Sequence, residues 1–472
     1  MNACSPEEST IPGFNSMQAA LATQRQSTPL LLAPVRGKTV ELDFDGGRLS
    51  SDAGLVLLKD IDDQLGLTRA LAAVLGDARD TRRILFTPED ILKQRVFQIA
   101  AGYEDANDAT TLRHDPIFKL LLNRWPDTGA PLASQPTISR FENSISRTAI
   151  YRMALVLMEQ FIASYNRPPE AIVLDVDDTE DRAHGAQEQI RYDGYYGGYC
   201  FMPLHLYEGL SGRLITTILK AKRFSGAQML AVLKRVVQRL RHAWPDTRCI
   251  FRGDSHFAYP EVMAWIEAQP HLSYVTGLTS NAVLQALAQE VVEQAKRAYA
   301  RWGRKVPRFH STRYQAGTWS RSRRVVIKVE VSEQGVNTRF VVTDMEQART
   351  QVLYRHIYCA RGQMENESKD HKLYLKSDRT SCHRFEANQV RLFLHSAAYV
   401  LLDTLRREVL RTTPWACATM ATLQLRFLKL GARVHECKER IKISLPSSCP
   451  VASVLRRCVM LLGCVRLTPP AL

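Results

Sequence analysis

Two apolar runs in this sequence end in aspartate. In Ile172-Val173-Leu174-Asp175-Val176-Asp177-Asp178-Thr179, residues two apart share a face of an extended strand. Asp175, Asp177 and Thr179 therefore point one way, Leu174 and Val176 the other, and two carboxylates converge at a strand end. The second run, Ile250-Phe251-Arg252-Gly253-Asp254-Ser255-His256-Phe257, puts Asp254 at the C-terminal end of its strand, the edge where α/β sheets hold ligands. Either aspartate alone serves equally well as a turn or helix cap. A third element has the spacing Y-x2-R-x3-E-x6-K in Tyr358, Arg361, Glu365 and Lys372. At about 100° per residue these fall within an arc of roughly 60° on one helix face. Glu367 and Asp370 project from other sides, which leaves Glu365 as that face's acid. Carboxylate oxygens suit a hard divalent cation that keeps several waters. A pair of such ions about 3.5–4 Å apart stabilises the entering and leaving oxygens when a phosphodiester is attacked.

The elements that must position these groups follow from patterning. Residues 1–45, rich in Ser, Thr, Gln and Pro, read as a loose arm. Residues 46–165 show helical periodicity, as in Leu55, Val56, Leu58, Ile61 and Leu65, and Arg140 lies on a capped helix opening near Ser134 and Thr137. Arg167-Pro168-Pro169 marks a break. Short β-like runs follow at Ala171–Asp178, Cys200–Tyr207 and Arg213–Ala221, then a helix at Gly226–His242, a strand at Arg248–Asp254, a helix from Pro260 and a strand at Leu272–Leu278. This order predicts an α/β layer arrangement with a mixed sheet, its active edge where the first and fourth strands end. The core's first part is 166–280 and its second 355–410, with helix returning from Gly362. Between them, 281–354 is expected to be a β-rich insertion, with runs at Arg323–Val331 and Thr338–Thr343 about a Gln334-Gly335 turn. A basic helical region, 411–472, closes the chain.

Charge bounds the partner. The 472 residues carry 63 Lys plus Arg against 48 Asp plus Glu, a formal charge of +15, which favours a polyanion. The excess is concentrated: Lys296–Lys328 holds eleven cations and no acid, interleaved with Tyr299, Trp302, Phe309, Tyr314 and Trp319. No apolar run is long enough to cross a bilayer. Glu7 and Glu8 stand where an export signal needs positive charge, so a cytoplasmic location is expected. Ten cysteines without a C-x-x-C pair suggest neither a zinc site nor a disulfide framework.

Over residues 165–400, these features resemble a DD(E) insertion-sequence transposase of the group defined by the Tyr-Arg-Glu-Lys (YREK) helix. The resemblance implies a ribonuclease-H-like catalytic core, interrupted by the insertion. It implies a metal-binding catalytic triad of Asp177, Asp254 and Glu365. Asp175, on the same face as Asp177, is an alternative first ligand, and Asp178 should point away. Two Mg²⁺ ions are implied, with Mn²⁺ able to substitute. DNA contacts are expected from Tyr358, Arg361 and Lys372 and, in the insertion, from Trp302, Arg304, Lys305, Trp319, Arg321, Arg323 and Arg324. Either Trp could receive a flipped base. The implied function is cut-and-paste transposition: cleavage at element ends and strand transfer, on double-stranded DNA with terminal inverted repeats and a target duplex, by a homodimer in the bacterial cytoplasm or nucleoid. One alternative is a DNA-binding regulator or inactivated transposase without catalysis. Another is a haloacid-dehalogenase-like phosphatase, for which Asp175 would be a covalent nucleophile.

Overall fold

The apolar run containing Asp177 folds as β1 (Ala171–Asp178), followed by β2 (Leu204–Glu208), β3 (Leu214–Ile218), β4 (Arg248–Gly253) and β5 (Leu272–Leu278). This computed structural model describes residues 29–76, 84–183, 185–464 and 467. Three further strands, β6 (Arg308–Tyr314), β7 (Arg323–Ser332) and β8 (Gly335–Thr343), complete an eight-stranded sheet ordered β6-β7-β8-β5-β4-β1-β2-β3. β4 runs parallel to both β1 and β5, and every other pairing is antiparallel. β1 is thus a central strand covered on both faces, which is why its run is apolar nearly throughout. The protein is a mixed α/β fold, and β1 to β5 form a sheet compatible with a ribonuclease-H-like core.

The period of two assigns the faces. Ile172, Leu174 and Val176 share a core with Met229, Leu233 and Val236 of helix Gly226–Ala243 and with Val262 and Ile266 of helix Pro260–Ile266. Asp175 and Asp177 look the other way. There the chain is helical from Thr350 to Tyr374, but not uniformly: α-helical turns at Thr350–Val352 and Gly362–Lys369 alternate with wider π-type turns at Leu353–Tyr358 and Asp370–Tyr374 and a tight turn at Cys359–Arg361. This site helix begins well before Gly362. Such π-type turns occur often at functional sites.

Several expectations change. The Cys200–Tyr207 run splits at Pro203, which has no N–H to donate. Gly198–Phe201 pairs instead with Asp181–Arg182 and Arg191–Asp193 in a small separate sheet. The insertion is not β-rich throughout, because Ala282–Trp302 is a helix capped by the Asn281 side chain and ended by left-handed Gly303. Its strands β6 to β8 join the core sheet. Part of the loose arm is a hairpin, Leu30–Val35 with Lys38–Leu42, while residues 1–28 lie outside those described. The C-terminal region is not wholly helical, since Ala432–Glu436 pairs with Ile441–Ser444 and with Leu49–Ser50. Helices before residue 165 and after residue 411 share one apolar core around the helix Phe385–Thr404.

Candidate active site

β1 and β4 end side by side, so their terminal aspartates are neighbours. The site helix crosses that edge and Arg361 reaches between them. Its Nη2 donates to Asp177 Oδ1 at 2.8 Å and lies 4.0 Å from Asp254 Oδ2. Asp254 also caps the turn after β4, with Oδ1 accepting from the His256 N–H at 2.8 Å and Oδ2 lying 3.2 Å from His256 Nδ1. Burial pushes the Asp177 carboxyl up to about 6; Arg361 opposes the shift, while Asp254 and Asp178 add to it. Burial also disfavours charge on Arg361, but Asp177 and Asp254 outweigh it and raise its pKa.

Tyr358 seats the helix. A Cβ on Gly277 of β5 would come within 2.8 Å of both the Tyr358 hydroxyl and the Ser255 nitrogen, so only glycine allows this approach. Lys372, two helical turns beyond Glu365, donates to the Glu180 carbonyl just past the end of β1. Three of the four signature residues therefore engage the strand ends around Asp177 and Asp254. Glu365 lies one turn after Arg361, exposed and without a hydrogen bond or ion pair among the described residues. Among the described residues, no group of three His, Cys, Asp or Glu side chains is already gathered to hold a metal ion. What the structure brings together is the aspartate pair.

Asp175 is not available as a ligand. Fully buried, it accepts from Arg252 Nε and Nη2, both at 2.5 Å, and Arg252 lies directly opposite it on β4. The same arginine donates through Nη1 to the Ile357 carbonyl of the site helix at 2.5 Å. Asp175 and Arg252 thus hold β1, β4 and the helix together, and a phosphatase nucleophile at Asp175 is excluded because nothing can reach it. Sequence reading assigned Arg252 no role. The signal was an arginine inside an apolar strand, which has to be paired to be buried. Asp178 points away as expected, into an ion pair with buried Lys220.

The insertion's cations divide. Trp302 is 56% exposed with Arg301 over its ring, and Arg304 and Lys305 are exposed beside it. Trp319 is buried, packed edge to face on Tyr314 with Arg323 over its ring, and so cannot receive a base. Arg323 is buried in an ion pair with Glu267, which Arg321 also meets from the surface. Arg324 donates to Ser311, Thr350 and the Met345 and Glu346 carbonyls, fastening β7 to the start of the site helix. Arg323 and Arg324 are therefore structural rather than DNA-facing, because both are buried and their guanidinium groups are taken up by partners within the protein.

The profile of the family described as transposase DDE domain group 1 matches residues 32–466. The chain belongs to that family. Its members use divalent metal ions, and the paired carboxylates around one cationic nitrogen in this transposase are a donor set that suits one. The YREK subgroup is a finer assignment than this match makes. Among solved structures, similarity is found to a piggyBac transposase synaptic complex with hairpin DNA studied by cryo-EM, at 12% identity and a TM-score of 0.43 over 81% of each chain. No curated protein matches this chain. Among the described residues, no helix is long and apolar enough to cross a membrane, and the nine described cysteines are free.

Proposed function

We propose that this chain is a cut-and-paste DNA transposase of the YREK group, cleaving phosphodiesters at the ends of an insertion sequence and joining them to target DNA. One observation carries the reading: two aspartates distant in sequence meet at one guanidinium, on a helix whose next turn offers an unengaged glutamate. Asp177 and Asp254, joined by Glu365, would hold Mg²⁺ or Mn²⁺. Bound there, the metal would supply charge stabilisation at the attacking and leaving oxygens of a phosphodiester.

The chain's own groups set the geometry. Arg361 keeps the two aspartates together, and with Lys372 it places positive charge beside the reacting phosphate. Tyr358, lodged over Gly277, fixes the distance between helix and strand ends. Trp302, Arg304, Lys305 and exposed Arg321 would hold duplex DNA through phosphate contacts, with an affinity that falls steeply as salt rises. Two ends processed together imply a homodimer in the synaptic complex.

The test is nicking of DNA carrying the inverted repeats that bracket the gene, with Mg²⁺ or Mn²⁺. Asp254→Asn and Glu365→Gln should bind this DNA as the parent does and cut it at least roughly 10³-fold more slowly. Normal cutting by either variant removes that residue from the triad. Tight binding with no cutting by the parent protein identifies a non-catalytic regulator instead.

A further inference from the structure

Between β1 and β2 the chain makes an excursion that neither the acids nor the basic insertion explains. Its small sheet carries four tyrosines on the outer hairpin. Tyr192 and Tyr199 are directly opposed in the register, their rings edge to face at 5.6 Å. At the turn, Tyr195 and Tyr196 lie 4.9 Å apart and perpendicular. Tyr192, Tyr195 and Tyr199 are 62%, 83% and 59% exposed, which leaves three large rings without the burial that normally stabilises them.

The scaffold beneath the rings is fixed. Asp193 Oδ1 accepts from the N–H groups of Tyr195 at 2.9 Å and Tyr196 at 3.4 Å. Gly197, at a φ of 65°, donates back to the Asp193 carbonyl at 2.9 Å. Beneath, Phe201 is buried with Leu219 and Leu392, and the Glu188 N–H donates to the His383 carbonyl at 2.9 Å. The hairpin also sits beside the acids. Asp181 and Arg182, which begin four residues after Asp177, pair with Phe201 and Cys200 of the hairpin's second strand, and the Met202 N–H just beyond donates to the carbonyl of Lys220, whose ammonium pairs with Asp178. Arg191 and Lys222 are exposed cations in this neighbourhood, whereas Asp193 is spent on the turn and Glu180 on Arg182 at 2.9 Å.

We infer that this tyrosine hairpin is a stacking platform for unpaired nucleobases of the DNA strand that passes the acids. Every base has a π-face, so ring stacking tolerates any sequence, and nearby cations take the phosphates. A fully paired duplex hides those faces inside its own stack, so the occupant is unpaired or unstacked DNA. The inference rests on the proposed DNA-processing reading and adds to it where a single strand is held.

The experiment uses the full chain without divalent ions. It compares a blunt duplex with the same duplex bearing a short single-stranded extension that contains 2-aminopurine. The parent protein should bind the extended DNA roughly tenfold more tightly than the blunt one and quench the probe. Joint replacement of Tyr192, Tyr195 and Tyr199 by Ala should abolish the preference and the quenching, replacement by Phe should keep both, and blunt-duplex affinity should stay level. Tyr195→Ala, at the turn tip where the edge contact with Tyr196 is the ring packing lost, should remove part of the preference. A parent protein indifferent to the extension, or alanine variants that keep the full preference, would overturn the inference. Asp254→Asn should retain the preference. A chain that prefers the extension but never cuts in Mg²⁺ refutes the enzymatic reading and leaves this one standing.

Discussion

The site helix carries an acid–arginine cluster on each of two sides, and they are built differently. On one side Arg361 is shared by Asp177 and Asp254, and solvent reaches all three. On the other, Glu367 accepts from Arg406 at 3.1 Å and Tyr399 at 2.5 Å, and Asp370 accepts from Arg406 at 2.8 Å and the Met420 N–H at 3.1 Å. Asp403 adds a third carboxylate, held by both Arg406 and Arg407. Two acids to one arginine and three acids to two arginines leave the same formal excess of one negative charge. The distinction lies in acceptor capacity. The second cluster saturates its buried oxygens with donors and pins the helix to Phe385–Thr404, whereas the first keeps lone pairs free beside water. A carboxylate whose partners fill it is scaffold; one left partly unfilled at a strand end can take a cation.

The widest separation between the clusters should come from Asp177→Asn, which should cut DNA at least roughly 10³-fold more slowly while binding it normally. Full cutting by this variant in a nicking assay would erase the distinction drawn above. Next in size, Arg406→Met leaves three buried acids short of a cation and should cost about 3–5 kcal/mol in denaturant unfolding. A loss below about 1 kcal/mol would show that the saturated cluster is not holding the helix.

Acidity offers a subtler probe. Because the folded Asp177 carboxyl titrates near 6 against an ordinary 3.8, its charged form is disfavoured by folding. Acidification through that interval should therefore relieve a destabilisation, and the relief is complete below the unfolded value. In the metal-free protein, Asp177→Asn should gain up to roughly 3 kcal/mol at pH 7 and nothing near pH 3. A gain independent of pH would contradict the burial of this group. The smallest effect expected is from Gly277→Ala, whose methyl would meet Tyr358 and the Ser255 backbone. It should cost about 1–3 kcal/mol and slow cutting more than it weakens binding. Unchanged cutting would mean that the Tyr358 contact does not set the helix height.

Much of this arrangement is readable from residue order, and what is not has a physical cause. The ends of β1 and β4 announce themselves because period-two alternation carries an acid out of an apolar run. The four-residue signature also leads to the edge where β1 and β4 end, although it presumes a regular helix: local widening at Leu353–Tyr358 and Asp370–Tyr374 obeys tertiary packing rather than propensity. Telling Asp175 from Asp177 requires the strand register, since only pairing reveals that Arg252 lies across from the former. For the same reason Trp302 and Trp319 look alike in a basic stretch, yet one ends a helix in solvent and the other is packed under β7. The helix Ala282–Trp302 is masked in the sequence by the charge of its last turns, which drew attention to the strands beyond.

The interruption between Asp254 and Glu365 is hydrogen-bonded into the sheet through β5 and β8. Its strands therefore continue, through main-chain hydrogen bonds, the same sheet that carries the acids. A foreign segment grafted there would need to supply three strands in matching phase. Change in what this part of the molecule can bind is consequently confined to side chains and to the connections at the far rim, with the backbone between them held in place by the sheet it completes.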